Sequence, residues 1–290
     1  MGLDLQGVSP LNLEALRHNL QTQYFGIGDR LLYISAVEST NTLAMQMAYE
    51  LSEEGLVILT DSQTDGKGRR GRRWVDVPGC NVLMSILFRP LFPPHLLVMI
   101  TSLAVVDVIA DICQVEAAIK WPNDVLIEDR KVAGTLIETS HDSSGRLVAV
   151  AGIGINVNGS IEELAKISSV QFPLTAIATT LESACGHKVS REVFIARLLQ
   201  YIEKSYFALQ HEIAGLSDVG TINKETFTRL MRERWRSQLA TLGRTIIVQQ
   251  GNSVISGIAE DVDESGELLL RRHSGELVRI TWGDVEYPIG

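Results

Sequence analysis

After an apolar run at Leu56 to Thr60, the chain enters Gly66-Lys67-Gly68-Arg69-Arg70-Gly71-Arg72-Arg73 and soon meets Pro78-Gly79. Spaced glycines followed by a proline–glycine break forbid a helix here. That restriction removes two nucleotide-binding folds. Gly66, Gly68 and Gly71 satisfy the spacing GxGxxG, but no helix opens behind them to offer its N-terminus to a pyrophosphate. The pair Arg72-Arg73 stands where a P-loop needs lysine and a hydroxyl residue. What remains is a loop that gathers five cations in a chain of net charge -9. Guanidinium forks pair bidentately with phosphate or carboxylate, and glycines let backbone N–H groups approach the same anion. The expected element is a mobile loop that orders around an anionic ligand; a solvated basic turn is the alternative.

Composition closes off other classes. At 290 residues and 45% hydrophobic content the chain can bury a full core, one large domain with a small one beside it, and disorder is excluded. Cys80, Cys113 and Cys185 are scattered without CxxC or metal-ligand spacing, as buried thiols of a reducing cytoplasm would be. No basic segment followed by an apolar one opens the chain, so no signal peptide is expected. The most apolar stretch, Leu96 to Cys113, carries Asp107 and Asp111 and falls short of the roughly 20 apolar residues of a membrane span. A buried helix is expected there, and no membrane association.

Ser9-Pro10 before Leu11, Leu13, Leu16 and Leu20 predicts a short N-terminal helix capped by Ser9. A strand follows at Leu31 to Val37. Ser39-Thr40-Asn41 then caps a helix carrying Leu43, Met47 and Leu51. Leu56 to Thr60 and Asn81 to Phe88 are strands, and Pro93-Pro94 starts the apolar helix. Ala117 to Asn156 reads as three antiparallel strands turning at Glu128-Asp129-Arg130 and Asp142-Ser143-Ser144-Gly145. Helices are expected at Leu174 to Cys185, Arg191 to His211 and Lys224 to Gln238. Past Leu242-Gly243 come short strands, Thr245 to Gln249, Ser253 to Asp261, Glu267 to Arg271 and Val278 to Thr281. Tight turns at Gly251-Asn252, Ser265-Gly266 and Ser274-Gly275 make this a small β-barrel.

Three further segments could carry chemistry. Lys120-Trp121-Pro122-Asn123-Asp124 ends a strand, with Pro122 holding Trp121 extended and a turn bringing ammonium, amide and carboxylate together. Lysine beside a phosphate and Asn/Asp near a hard cation suit a Mg-nucleotide site. Alone, the pentapeptide reads as an ordinary turn. Lys131-Val132-Ala133-Gly134 starts a strand in which Gly134 marks close approach of a ligand or another backbone. Gly152, Gly154 and Asn156 share one face of the next strand by its period of two, a flat floor for an extended ligand or a tight packing surface. Capping alone explains Ser39-Thr40-Asn41, and Gln63 is equally open to either reading. No Ser-His-Asp or Cys-His arrangement is visible, so the expected chemistry is positioning and charge neutralisation.

Taken in order, Ser39-Thr40-Asn41, Gln63, Gly66 to Trp74, Lys120 to Asp124, Lys131 to Gly134 and Gly152 to Asn156 resemble the signature of the biotin–protein ligases. The resemblance runs from about residue 28 to the C-terminus. It implies an α+β fold: a central mixed or antiparallel sheet with helices, like that of class II synthetases, and a terminal SH3-like β-barrel. The expected domains are a helical segment at 1–27, a catalytic domain at 28–241 and the barrel at 242–290. The implied reaction is ATP-dependent activation of biotin to biotinyl-5′-AMP, then transfer to a lysine of a biotin carboxyl carrier protein, commonly that of acetyl-CoA carboxylase.

By the same resemblance, Ser39, Thr40, Asn41, Gln63, Lys67, Gly68, Arg69, Trp74, Lys131, Gly134, Gly152 and Gly154 bind biotin. Arg69, Arg70, Arg72, Lys120, Trp121, Asn123 and Asn156 face ATP. Asn123 and Asp124 hold Mg2+, and Arg69, Lys131 and Lys120 are catalytic. Lys67 stands where arginine is common in the family, with the charge kept. About thirty residues with one helix before the first strand are too few for a winged-helix domain, so no DNA-binding repressor role is expected. A homodimer is left open. Against a lipoate or octanoate attachment enzyme of the same general fold stand the Lys120–Asp124 segment, the dense basic loop and the terminal barrel. Against a nucleic-acid-binding module stand the net charge of -9 and the lack of aromatic–basic interleaving.

Overall fold

The computed structural model describes residues 10–50, 53–167, 177–216, 226–251 and 253–288. Its larger sheet has seven strands: β1 (Leu31–Val37), β2 (Val57–Gln63), β3 (Val82–Phe88), β4 (Ala118–Lys120), β5 (Asp124–Ile127), β6 (Arg130–His141) and β7 (Leu147–Ile155). The spatial order is β1-β2-β3-β7-β6-β5-β4, and only β1 and β2 run parallel. The period of two sorts each strand between two cores. Val57 and Leu59 of β2 and Met84 and Ile86 of β3 join the main core, while Ile58 and Leu87 join a smaller one on the opposite face.

On the main face lie α1 (Leu13–Asn19), α3 (His95–Cys113), α6 (Arg191–Ile213) and α7 (Phe227–Ser237), with α3 packed against α6, α7 and strands β4 to β7. α3 is buried over most of its surface, as its composition demands, and a left-handed Gln114 ends it. The other face is covered by α2 (Thr40–Met47), whose Ala44 packs with Ala48 on Ile58, Leu87, Val148 and Val150.

Several boundaries differ from expectation. Asn12, whose Oδ1 accepts from the Ala15 N–H, caps α1; Ser9 lies outside the described residues, as do Leu51 and Lys224. The segment 117–156 forms four strands, because the Trp121–Asp124 turn splits off β4 and folds it back on β5. The helix expected from Leu174 is confined to α5 (Leu181–Cys185), capped by Thr180, with 174–176 outside the described residues. Ahead of it, Ile177 to Thr179 is drawn into a parallel bridge with Lys131, whose N–H and carbonyl bond the Ile177 carbonyl and the Thr179 N–H. α4 (Ile161–Ile167) was missed although Ser160 and Glu163 form a reciprocal capping box, a legible signal.

The C-terminal unit has five strands where four were expected: β8 (Thr245–Gln250), β9 (Ser253–Val262), β10 (Leu268–Arg271), β11 (Leu277–Ile280) and β12 (Asp284–Glu286). They form an antiparallel sheet in the order β11-β10-β9-β8-β12. Its seat on the large domain is the Lys120–Asp124 turn. The Trp121 N–H donates to Thr241 Oγ1 at 2.9 Å and its indole N–H to the Gly266 carbonyl at 2.8 Å.

At the opposite end of the sheet a buried ion pair ties α6 to β2. Arg191 Nη1 lies 2.7 Å from Asp61 Oδ1, and Asp61 Oδ2 also accepts from the Tyr33 hydroxyl and the Leu11 N–H. Arg191→Met strands that carboxylate away from water. Its unfolding free energy in urea should fall by about 3 kcal/mol, and an unchanged midpoint would show the pair to be dispensable.

Candidate active site

A cleft of about 340 Å³ opens where the start of α2, the basic loop, the Lys120–Asp124 turn, β6, β7 and β12 converge. At one end the walls are neutral and polar. Ser39 caps α2 through the Thr42 N–H, and both the N–H and the hydroxyl of Thr40 donate to Gln63 Oε1, at 2.9 and 3.1 Å. The buried Ser85 hydroxyl sits 2.7 Å from Thr40 Oγ1 and 2.6 Å from Asn41 Oδ1. Asn41 in turn donates to Glu138 at 2.8 Å, and Glu138 pairs with Lys67. One continuous network thus runs from Gln63 to the basic loop. Ser85 and Glu138 were missed in the sequence, where a lone serine in an apolar strand is the only hint.

The glycine floor is not bare. A Cβ on Gly152 would come within 2.2 Å of Asn41 Oδ1, and one on Gly154 within 2.5 Å of the Trp74 ring. The two glycines make room for an amide and an indole, which become the lining. Trp74 Nε1 is buried without a hydrogen-bond partner.

The basic loop is a tight hairpin. Trp74 N–H donates to the Gly66 carbonyl at 2.8 Å and Gly68 N–H to the Arg72 carbonyl at 2.7 Å, with a left-handed Arg70 (φ 59°) at the tip. Each of its five cations is engaged within the protein. Lys67 meets Glu138, Arg69 donates to Asn123 Oδ1 at 2.9 Å, Arg70 and Arg72 share Asp284, and Arg73 pairs with Asp65. Lys67, Arg72 and Arg73 stay exposed in these pairs, while Arg69 is turned toward Asn123.

The charged end of the cleft holds Arg69, Arg72, Lys120 and Lys131 with Asp124 and Asp284. Lys131 Nζ is 2.7 Å from Asp124 Oδ1 and 5.5 Å from the Trp74 ring centre; Lys120 Nζ is 4.9 Å from that of Tyr287. A Cβ on Gly134 would crowd both Lys131 Nζ and Asp124 Oδ1. Burial pulls the Arg69 guanidinium and the Lys120 ammonium below their ordinary values, and Asp124 opposes it in both.

Four of the expected site residues already have partners within the protein. Asn156 does not line the cleft: it is 5% exposed and its Nδ2 donates to the Thr179 carbonyl. Arg70 faces β12 instead of the cleft. Trp121 borders the cleft but is 3% exposed, its indole committed to Gly266. As a metal ligand Asn123 is already spent, its oxygen on Arg69 and its nitrogen on the Thr135 carbonyl. Among the described residues no group of three His, Cys, Asp or Glu could hold a metal ion. The donor set fits a Mg2+ that arrives on nucleotide phosphates and meets the Asp124 carboxylate, the usual habit of that ion. Asp284 and Val285, from the strand that was missed, and Gly283 just before it complete the lining.

A model of the biotin/lipoate A/B protein ligase family matches residues 33–158, and one of the biotin protein ligase C-terminal domain matches 241–287. The bifunctional ligase/repressor BirA of Bacillus subtilis is 30% identical over 282 residues, spanning 95% of this chain and 79% of its own length. The biotin–[acetyl-CoA-carboxylase] ligase of Paracoccus denitrificans is 32% identical over 250 residues, 84% of this chain and 95% of its own. In fold, the chain is similar to the biotin protein ligase of Aquifex aeolicus solved with biotin and ATP. That match has a TM-score of 0.68, covers 88% of this chain and 97% of that one, and has 24% identity. The chain belongs to the biotin–protein ligase family.

Two tests follow from the geometry. Gly154→Ala drives a methyl into the Trp74 ring. Its emission, compared against a Trp74→Phe control, should shift, with about 1–3 kcal/mol of stability lost; an unmoved spectrum would mean the ring does not rest there. The second concerns Asp76, whose Oδ1 accepts from the Gln63 N–H and whose Oδ2 is buried without a partner. Burial pushes its carboxyl up to about 6. The folded state therefore holds the proton more tightly than the unfolded one, a stabilisation present below pH about 4 and lost as pH rises through about 6. Asp76→Asn should be more stable than the parent at pH 8, by on the order of 2 kcal/mol, and lose that advantage near pH 4.

Proposed function

We propose that biotin lies along the Gly152–Gly154 floor beneath Trp74, its ring toward Thr40 and Gln63 and its carboxylate toward Lys131 and Arg69. ATP enters from the side of Lys120 and Asn123 with its phosphates toward Arg69 and Arg72. The observation that carries this reading is the polarity of one cleft: the neutral hydrogen-bonding groups of Ser39, Thr40 and Gln63 at one end, and Arg69, Arg72, Lys120 and Lys131 among the cations at the other. A ureido ring needs the first; two anions that must meet need the second.

In the first half-reaction a carboxylate oxygen of biotin attacks the α-phosphorus of ATP, and pyrophosphate leaves. Arg69 and Lys131 screen the repulsion between the reacting anions and stabilise the charge that grows on the phosphoryl oxygens. Lys120 neutralises phosphate from the opposite wall. Mg2+, when bound with the nucleotide, adds charge neutralisation beside Asp124. In the second half-reaction the lysine amine of the carrier attacks the acyl carbon, and AMP leaves. The hairpin above the cleft keeps water from the mixed anhydride between the two steps.

The acceptor in this reading is the carboxyl carrier domain of acetyl-CoA carboxylase, and the five-stranded C-terminal sheet curls as an SH3-like barrel. The free thiols Cys80, Cys113 and Cys185 suit a cytoplasmic setting. Mass spectrometry of a carrier domain incubated with this protein, biotin and Mg-ATP should show one biotinyl adduct; an adduct with lipoate and none with biotin would reverse the assignment. Arg69→Gly should let the adenylate escape, seen as labelling of unrelated lysines that rises about tenfold or more. Retention of the adenylate at parental level by that variant would remove Arg69 from its role.

A further inference from the structure

We propose that the turn and strand Trp282–Glu286 act as a catch for the arginine hairpin, with Asp284 as the positioning residue. The proposal rests on the assignment of Arg69 to the adenylate. Asp284 bridges two loop arginines: its Oδ2 lies 3.0 Å from Arg70 Nη1, and its Oδ1 accepts from Arg72. Arg70 is held twice more by the same unit, donating to the Gln249 carbonyl at 2.8 Å and stacking 4.8 Å from the Trp282 ring centre. Trp282 is otherwise 46% exposed, so this cation–π contact gives an exposed indole a purpose. At Gly283 (φ 153°) a Cβ would lie 2.4 Å from Val248 Cγ1, so the turn that presents Asp284 hugs β8 as only glycine permits.

The hairpin tip needs such a hold. Arg70 sits in the left-handed region (φ 59°, ψ 37°), a conformation that persists in a non-glycine residue when its surroundings over-determine it. Across that tip the side chains divide: Arg69 turns inward to Asn123, Arg70 outward to Asp284 and Gln249. Because the two residues are adjacent, fixing Arg70 fixes the direction of Arg69. Asp284 thus acts on the cleft through its arginines, and the C-terminal sheet becomes part of what keeps the adenylate in.

The test uses the full-length protein and measures how fast pre-formed biotinyl-AMP leaves it in the absence of carrier. D284N should release it about tenfold faster, the factor expected for one charge-assisted hydrogen bond, and W282A about threefold faster through loss of the cation–π contact, while D284E stays near the parent. R70Q should release it faster too, and the effect of R70Q/D284N should fall short of the product of the two single effects, because both variants remove the one Asp284–Arg70 contact. Equal retention by folded D284N and W282A, or additive effects in the double variant, would overturn the catch. If one variant fails to fold, the remaining ones still decide between these outcomes. A parent that forms no biotinyl-AMP would sink the reading of the cleft; a parent that holds it as tightly as the variants would sink the catch alone.

Discussion

Six cationic residues, Lys67, Arg69, Arg72, Arg73, Lys120 and Lys131, line one cleft in this protein, and their mutual repulsion is the constraint that the surrounding structure has to meet. A lysine or arginine withdrawn from water wants a counter-charge, and a ligand supplies one only while it is bound. The chain supplies its own. Asp124 holds Lys131 from the start of β5, Asp284 holds Arg72 from β12, and Tyr287 offers Lys120 the face of its ring. In the proposed reading an incoming phosphate displaces carboxylate contacts at partly exposed positions, an exchange of one anion for another. Such a cleft can stay folded empty and still bind a triphosphate.

The position of the cleft follows from strand order. Because β7 lies between β3 and β6, the glycine-bearing strand crosses the middle of the sheet, with Ser85 on one side and the Lys131–Gly134 segment on the other. The two glycines face α2, opposite the main core, so the side chains they accept come from α2 and from the loop after β2. The same face therefore carries the neutral network and the indole, and the charged end forms where β5 and β6 begin. Folding places both ends of the cleft on one rigid support, which a reaction based on alignment requires.

Local chemistry made much of this legible in the sequence. Ser39 caps α2 as its residue type predicts, α3 begins after the paired prolines, and β1 has the bounds that its apolar run implies. Within the site, Thr40, Gln63, Arg69, Lys120, Asp124, Lys131 and the glycines do converge. What escaped was contact across long separations. Ser85 meets Asn41 over 44 residues, Lys67 meets Glu138 over 71, and Arg72 meets Asp284 over 212. Periodicity carries no information about such pairs. Asn156 departs from its expected place for a related reason: it lies just past the end of β7, and its amide donates to the Thr179 carbonyl.

Contact with the C-terminal sheet changes how the arginine hairpin should be regarded. A glycine-rich basic segment invites the picture of a free flap that closes by attraction to its ligand alone. Here the flap has hydrogen bonds of its own, a defined tip and an attachment on each side: Lys67 to β6 through Glu138, Arg70 and Arg72 to β12 through Asp284. Most of the ordering entropy is then met by folding, so less ligand binding energy is spent on closure and more remains for the transition state. The cost is that any opening of the hairpin must break these contacts. Partly exposed ion pairs suit that compromise, since water weakens them enough to release and geometry restores them when the cleft empties.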